Sequence, residues 1–251
     1  MSRAGIVAAL TAEARTLGAA SAAGRATATA AGTDGPLLSL SDGTLLVISG
    51  VGLVAAAAAA HRLLDAGAAG LISFGLAGGL DPALGAGQAL LPDEIRSNDA
   101  LSLTTDPAWC ARVRASLSAQ SLPVAGGVLW SSRTPLLTGD AKRQLFADSG
   151  AAAVDMEAIA VASAARAAGR PFLAIKVIVD TAVDALPQAV MAVDAGGQIR
   201  AAQMAGTLLR HPGEIMALVR LGGRYRRAMR TLRILASLSA VRQPSVEVIS
   251  P

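Results

Sequence analysis

The stretch Ala151–Ala182, AAAVDMEAIAVASAARAAGRPFLAIKVIVDTA, sets three carboxylates, Asp155, Glu157 and Asp180, among small apolar residues. Ala151–Val154 reads as a short buried strand. Asp155, Met156 and Glu157 then open an alanine-rich helix that stops at Gly169, a residue suited to a C-terminal cap. After Pro171, the apolar run Phe172–Val179 reads as a second strand ending on Asp180. A strand–helix–strand unit of about thirty residues is the size of a crossover between parallel strands. It places acids at a helix start and at the carboxyl end of a strand, where open α/β sheets bind ligands. A desolvated carboxyl there holds its proton and can act as a general acid, whereas an ionised one accepts hydroxyl hydrogens and favours nearby positive charge. A polar small-molecule ligand accounts for both.

The elements that position these residues can be read along the chain. Gly5–Leu10 reads as a first strand running into a helix, TAEARTLG, with Glu13 in its first turn. Leu37–Leu40 and Thr44–Ser49 form a hairpin turned by Ser41-Asp42-Gly43. Ser49-Gly50-Val51-Gly52 makes a glycine turn into a helix, Leu53–Ala66, and could offer backbone N–H groups to an anion. Leu71–Phe74 is a buried strand entering Gly75-Leu76-Ala77-Gly78-Gly79, where the backbone can approach a ligand closely. That run is neither a dinucleotide fingerprint nor a P-loop. Further strands are expected at Gln88–Leu91 and Val124–Trp130, and helices at Pro107–Ala119, Ala141–Ala147 and Gln198–Arg210. Ser97–Leu103 reads as loop. No linker divides the chain.

Composition narrows the class. The 251 residues are 53% apolar but only 2% aromatic, so the core must be packed with Ala, Val, Leu and Ile. The mean hydropathy of +0.50 raises the question of membrane spans. The most apolar stretch, Ala66–Leu80, is broken by five glycines and is too short to cross a bilayer. The N-terminal apolar run is short for a signal segment and reads better as a strand. One cysteine, Cys110, allows no internal disulfide, and no Cys/His cluster suggests zinc. A cytoplasmic protein is expected. From Arg210 onward, eight arginines face two glutamates, +6 of a net +4, so the preceding chain carries −2.

Ser49-Gly50-Val51-Gly52, the Gly75–Gly79 run, Val154-Asp155-Met156-Glu157-Ala158 and Ile178-Val179-Asp180-Thr181-Ala182 resemble, in order, the motifs of the purine nucleoside phosphorylase and methylthioadenosine/adenosylhomocysteine nucleosidase superfamily. Phe74–Pro82, the Leu186-Pro187 segment and the basic C-terminal extension look most like its hopanoid-associated branch. The resemblance implies a three-layer α/β/α sandwich around a mixed, partly closed sheet. It implies cleavage of the N-glycosidic bond of adenosylhopane, releasing adenine and a ribosyl or phosphoribosyl hopanoid. Asp180 would then protonate the departing purine, Glu157 would grip the ribose hydroxyls, and Met156 would pack on the sugar. Glu13 falls where the nucleosidases keep a water-activating glutamate, and Gly52 and Gly78 fall where the backbone meets the ligand.

Each residue also has a plainer reading. Asp180 could cap the next helix through Thr181, Asp155 and Glu157 could merely favour a helix N-terminus, and Glu13 could face solvent. Leu76 replaces a serine that binds anions in many phosphorylases, Lys176 replaces an arginine, and Pro135 or Leu136 stands where relatives place an aromatic over the base. These departures make the pocket greasier and leave Ser49, Gly52 and Arg133 as the remaining phosphate contacts. Orthophosphate would be a co-substrate; no metal or organic cofactor is implied, and a homo-oligomer is.

The last segment, Arg224–Leu238, gathers Tyr225, Met229, Leu232, Leu235 and Ala236 on one helical side and Arg224, Arg226, Arg227, Arg230 and Arg233 on the other. Residues 1–221 are thus read as the nucleoside phosphorylase-like domain and 222–251 as a basic amphipathic extension. The extension either rests on the inner face of the membrane or docks on protein. It lacks the interleaved aromatics of a nucleic-acid surface. Alternative readings are a nucleosidase or phosphorylase for soluble purine nucleosides, and a non-catalytic nucleoside binder.

Overall fold

The computed structural model describes residues 3–18, 36–186 and 214–245. Its sheet is built on β4, Gly70–Gly79, whose ten residues are long enough to pair with three neighbours. On one side the first half of β4 pairs in parallel with β1, Ala4–Ala8, and the far end, Gly78–Gly79, pairs antiparallel with β10, Ala153–Asp155. On the other side β4 pairs in parallel with β11, Phe172–Asp180, along nearly its whole length. The sheet therefore forks at the glycine-rich end of β4. Outward from β1 come β3, Leu45–Ile48, and β2, Leu37–Ser39. Outward from β10 come β9, Val128–Ser131, β6, Glu94–Ser97, and β7, Ser102–Thr104. Beyond β11 lie β5, Ala89–Leu90, and β8, Val124–Ala125.

Strand residues alternate between two apolar layers, as period-two pleating requires. Val7, Leu71, Phe172, Ala174 and Ile178 face α2, Leu53–Asp65, and α5, Ala158–Ala167. Those helices present mainly alanine, among them Ala56, Ala59, Ala60, Ala162 and Ala165, which is how so few aromatics fill this layer. Ile6, Ile72, Phe74, Leu173, Ile175 and Val177 face the opposite layer of α1, Thr11–Thr16, α3, Pro107–Ser118, and α6, Glu214–Ser237. Helices thus cover both faces of a mixed sheet, the α/β/α arrangement expected. The helix α4, Gly139–Ser149, packs at the side of β9 and β10 with Leu80, Ala151 and Val154.

Several elements differ from expectation. The loop expected at Ser97–Leu103 is the turn over 98–101 that joins the antiparallel strands β6 and β7; its ends belong to those strands, which set Ile95 opposite Leu103 in the core. The strand expected at Val124–Trp130 is two strands, interrupted at Gly126-Gly127, where Gly127 adopts φ 97. Asp155 does not open α5; it ends β10, and the helix starts three residues later. The helix expected at Gln198–Arg210 lies outside the described residues.

The C-terminal helix settles into the core. Ala228, Met229, Leu232, Leu235 and Ala236 of α6 are buried beside Ile6, Phe74 and Ile175, and the helix runs unbroken through the boundary read at 221/222. Thr231 Oγ1 donates to the Gly87 carbonyl at 2.7 Å. The fully buried Trp109 donates its indole N–H to the Ala240 carbonyl at 2.9 Å. The apolar face of this amphipathic helix over 228–236 is spent on protein, while Arg226, Arg227, Arg230 and Arg233 reach solvent together with Val219 and Ile234. Among the described residues no helix is long and apolar enough to cross a membrane.

Candidate active site

Four ionisable side chains meet where the sheet forks. Gly75, with φ 156, leaves its place on β4 empty, and Glu13 of α1 occupies that space: a Cβ on Gly75 would lie 2.5 Å from Glu13 Oε1. The Glu13 carboxylate accepts the Leu76 N–H at 2.9 Å and the Leu10 N–H at 3.0 Å, and is 3% exposed. Burial pushes its pKa up, against the pull of Lys176 and the backbone donors. Lys176 stands opposite Gly75 on β11 and pairs its Nζ with Asp155 Oδ2 at 2.8 Å. Asp155 also accepts the Ser131 hydroxyl at 2.6 Å and the Ala158 N–H at 2.9 Å, so it anchors the start of α5 from the end of β10.

Glu157 completes the group from the N-cap position of α5. Its Oε1 accepts the Gly52 N–H at 2.8 Å and its Oε2 the Met156 N–H at 3.2 Å. Burial above all, and then the nearby Asp155 charge, raise its pKa to about 7 despite Lys176 and the Gly52 donor. The same carboxylates outweigh burial at Lys176 and hold its ammonium above the usual lysine range. Three carboxylates thus surround one ammonium in a nearly sealed space, a field that favours positive charge on whatever enters it.

Asp180, at the carboxyl end of β11, lies across from Gly78 after a register shift in the pairing with β4. A Cβ on Gly78 would lie 3.4 and 3.5 Å from the two Asp180 oxygens, so a larger residue there would crowd the carboxyl. Lys142 of α4 contacts Asp180 Oδ2 and donates to the Thr181 carbonyl at 2.9 Å. Burial raises the Asp180 pKa, and Lys142 opposes it. Asp180 does not cap the next turn; Thr181 takes its cap from Asp184, at 2.8 Å from N–H and 2.6 Å from Oγ1.

The expected site residues therefore fall as follows. Glu13, Glu157 and the Gly52 N–H share one cluster, Met156 lies half-buried between Asp155 and Glu157, and the half-buried Leu76 donates its N–H to Glu13. Gly78 adjoins Asp180. Leu136 packs with Leu80, Ala151 and Val154. Ser49 turns its hydroxyl to the neighbouring Gly50 carbonyl at 2.7 Å, and Arg133 pairs with the exposed Asp99 at 2.9 Å. The anion contacts weighed from sequence are thus engaged elsewhere. Glu13 does not face solvent. Lys142 and Ser131 were not foreseen; Lys142 sits in Asp-Ala-Lys-Arg, a run that reads as a solvated helix face, and nothing in its spacing marks it as buried.

The Gly75–Glu13 contact has a direct consequence. Gly75→Ala is expected to push Glu13 off its backbone donors and to cost roughly 1–3 kcal/mol, the range for overpacking a filled site. Urea unfolding would measure it; unchanged stability would show that Glu13 is free to move away.

A mixed sheet covered by helices on both faces, with buried acids at the ends of its central strands, is the frame of an α/β enzyme acting on a small polar ligand. The sequence matches the phosphorylase superfamily over residues 4–210, and the chain belongs to that superfamily. It is thus an enzyme of the phosphorylase type. The fold is similar to an MTAN mutant of Helicobacter pylori with 5'-methylthioadenosine in its active site, at TM-score 0.68 and 16% identity, covering 94% of this chain and 98% of that one. It is also similar to futalosine hydrolase of Helicobacter pylori, at TM-score 0.65 and 20% identity over 82% of this chain and 94% of that one. A third similar fold is the 5'-methylthioadenosine/S-adenosylhomocysteine nucleosidase of Neisseria meningitidis in complex with methylthio-immucillin-A, at TM-score 0.65 and 19% identity over 94% and 99%. No curated protein matches the sequence.

Proposed function

We propose that the chain cleaves the N-glycosidic bond of an adenine nucleoside carried on a hopanoid, adenosylhopane, and releases adenine. The observation that carries the cleavage chemistry is the buried cluster of Glu13, Asp155 and Glu157 around Lys176, with Asp180 on the next strand end. As the bond breaks, the ribose becomes cationic and the base gains charge. Glu157, in its ionised form, accepts the ribose hydroxyls and its charge, with those of its neighbours, favours the cation; Met156 covers the sugar. Asp180, whose hold on a proton is strengthened by burial, hands that proton to the departing base. Glu13, buried and so avid for a proton, activates water on the opposite face. A hydrolytic course is favoured over phosphorolysis because Leu76 offers an anion no side-chain hydrogen bond, and Ser49 and Arg133 are already paired.

The lipid-linked substrate is supported by two features. Leu76 and Val179 set half-buried apolar side chains beside the acids. Beside α1, the helix that carries Glu13, a groove of about 470 Å³ lies between α1 and α6, lined by Arg15, Arg226, Arg230 and Arg233 with Tyr225 and Met229. None of the four arginines has a carboxylate partner among the described residues, whereas Arg96, Arg114, Arg133, Arg143, Arg224 and Arg242 each do. Uncompensated cations on a rigid face suit the anionic inner leaflet, at about 1 kcal/mol per basic residue near the surface. Because the apolar face of α6 is buried, this contact is electrostatic and does not insert. A homo-oligomer is part of the same reading, supported by the exposed Val51 and Val54 next to the Gly52 turn.

Adenine release from adenosylhopane in detergent, beside methylthioadenosine and adenosine, tests the substrate. Preference for the lipid is expected; rapid cleavage of methylthioadenosine alone overturns it. Flotation with phosphatidylglycerol vesicles tests the groove. Binding that is lost in high salt, in phosphatidylcholine, and in an Arg226→Glu, Arg230→Glu, Arg233→Glu variant is expected, and equal flotation of wild type and variant contradicts it.

A further inference from the structure

Lys142 is the only fully buried side chain of α4, whose Leu145 and Phe146 are half-buried and whose Asp140, Arg143, Gln144 and Asp148 are exposed, and it is 1% exposed. Lysine is almost never buried to this degree unless it is paired. Its Nζ reaches two partners, Asp180 Oδ2 and the Thr181 carbonyl, both at the end of β11. This fixes the rotation of the Asp180 carboxyl. Oδ2 is held by the ammonium, while Oδ1 has no hydrogen bond among the described residues; both oxygens border the space left by the missing side chain of Gly78. The Lys142 and Asp180 side chains are 1% and 4% exposed, so water screens their attraction little. A second pair backs the arrangement: Asp184, which caps Thr181, pairs with Arg224 of α6 at 2.5 Å.

From this geometry we infer that Lys142 is a positioning residue for leaving-group protonation. It aims Asp180 Oδ1 at the base and stabilises the carboxylate that remains once the proton has left. The inference rests on the reading of Asp180 as the acid. In the step, the C1'–N9 bond breaks with its electron pair passing to the purine, and the cationic C1' bonds to the oxygen of a water whose proton passes to Glu13. The Asp180 Oδ1–H bond breaks and a ring N–H bond forms. Asp180 is left as a carboxylate beside the Lys142 ammonium, and solvent restores its proton after the base departs. A buried ammonium that compensates the charge as it forms makes a desolvated acid willing to give up its proton.

The charged groups that face Asp180 are Lys142, Asp184 and Arg224. Removing the ammonium takes away the group that most opposes the effect of burial, so Asp180 should stay protonated to higher pH and yet donate less readily. Lys142→Met is expected to lower kcat on adenosine roughly 10- to 100-fold. It should also move the alkaline limb of kcat/KM upward by about a pH unit or more. Lys142→Arg, which keeps the charge, should keep the limb in place. A 4-nitrophenyl riboside, whose leaving group departs without a proton, should be cleaved by Lys142→Met at close to the wild-type rate.

Equal slowing of both substrates by Lys142→Met, with the limb unmoved, would overturn the inference and leave Lys142 a packing residue. Should Lys142→Met fail to fold, the Lys142→Met/Asp180→Asn pair removes the unbalanced buried charge. That double variant is expected to be no slower on adenosine than Asp180→Asn alone, and a further large loss would contradict a role through Asp180. Wild-type rates of adenine release in Asp180→Asn would instead sink the acid reading itself, whatever Lys142 does.

Discussion

Asp180→Asn is expected to reduce adenine release by about 10²- to 10⁴-fold, the range for loss of a general acid. The substitution preserves shape and leaves an amide oxygen for Lys142, but the group has no acidic proton to give. Nucleoside binding, measured by calorimetry in the variant, should stay within a few-fold, because Glu157, Met156 and the Gly52 backbone are untouched. At pH values where Asp180 is ionised the fold should lose stability as well, since half of a buried ion pair is removed and Lys142 is left uncompensated; such losses run to about 3–5 kcal/mol. The two effects separate cleanly at low temperature, where the variant stays folded. Full activity in a folded variant would show that the base leaves without help from this carboxyl.

The second large effect belongs to Glu157 and depends on pH. Its pKa of about 7 means that the ionised form, the one able to accept ribose hydroxyls, is lost as pH falls through that value. kcat/KM should therefore decline on the acid side of about pH 7, and Glu157→Gln should abolish that limb along with most of the activity. Stability runs the other way. A carboxyl whose folded pKa lies above its unfolded value stabilises the fold below the unfolded pKa, and this contribution is lost as pH rises through the folded one. The window here is from about 4.5 to about 7, worth on the order of 3 kcal/mol at about 1.4 kcal/mol per pH unit. Glu157→Gln should thus gain stability over wild type as pH rises across that window. A thermal melt series in which the difference stays flat would contradict it.

What the sequence made legible was local. The apolar runs at Gly5–Leu10, Leu71–Phe74 and Phe172–Val179 announced the three central parallel strands, because each is buried on both faces and so lacks a polar alternation. The acids Glu157 and Asp180 stood out because carboxylates next to such runs need a partner. Partners themselves were not legible. Lys142 meets Asp180 across 38 positions of chain and Glu157 meets the Gly52 N–H across 105, and no local period encodes either. Asp155 was misread as a helix opener because a charge before an alanine run looks the same whether it ends a strand or starts a helix; only the pairing of β10 with β9 separates them. The tail shows the same limit. Its amphipathic period was correct, but a period does not say what its apolar face meets, and here that face meets Ile6, Phe74 and Ile175.

The chemistry proposed here is tested most directly by following adenine release from adenosylhopane and adenosine by chromatography, with wild type and Asp180→Asn side by side and phosphate present or absent. Adenine is expected from the wild type without phosphate, with a loss of at least about 10²-fold in the variant. No base released by the wild type from either nucleoside, under either condition, would contradict it and leave the buried acids as the site of a nucleoside-binding protein.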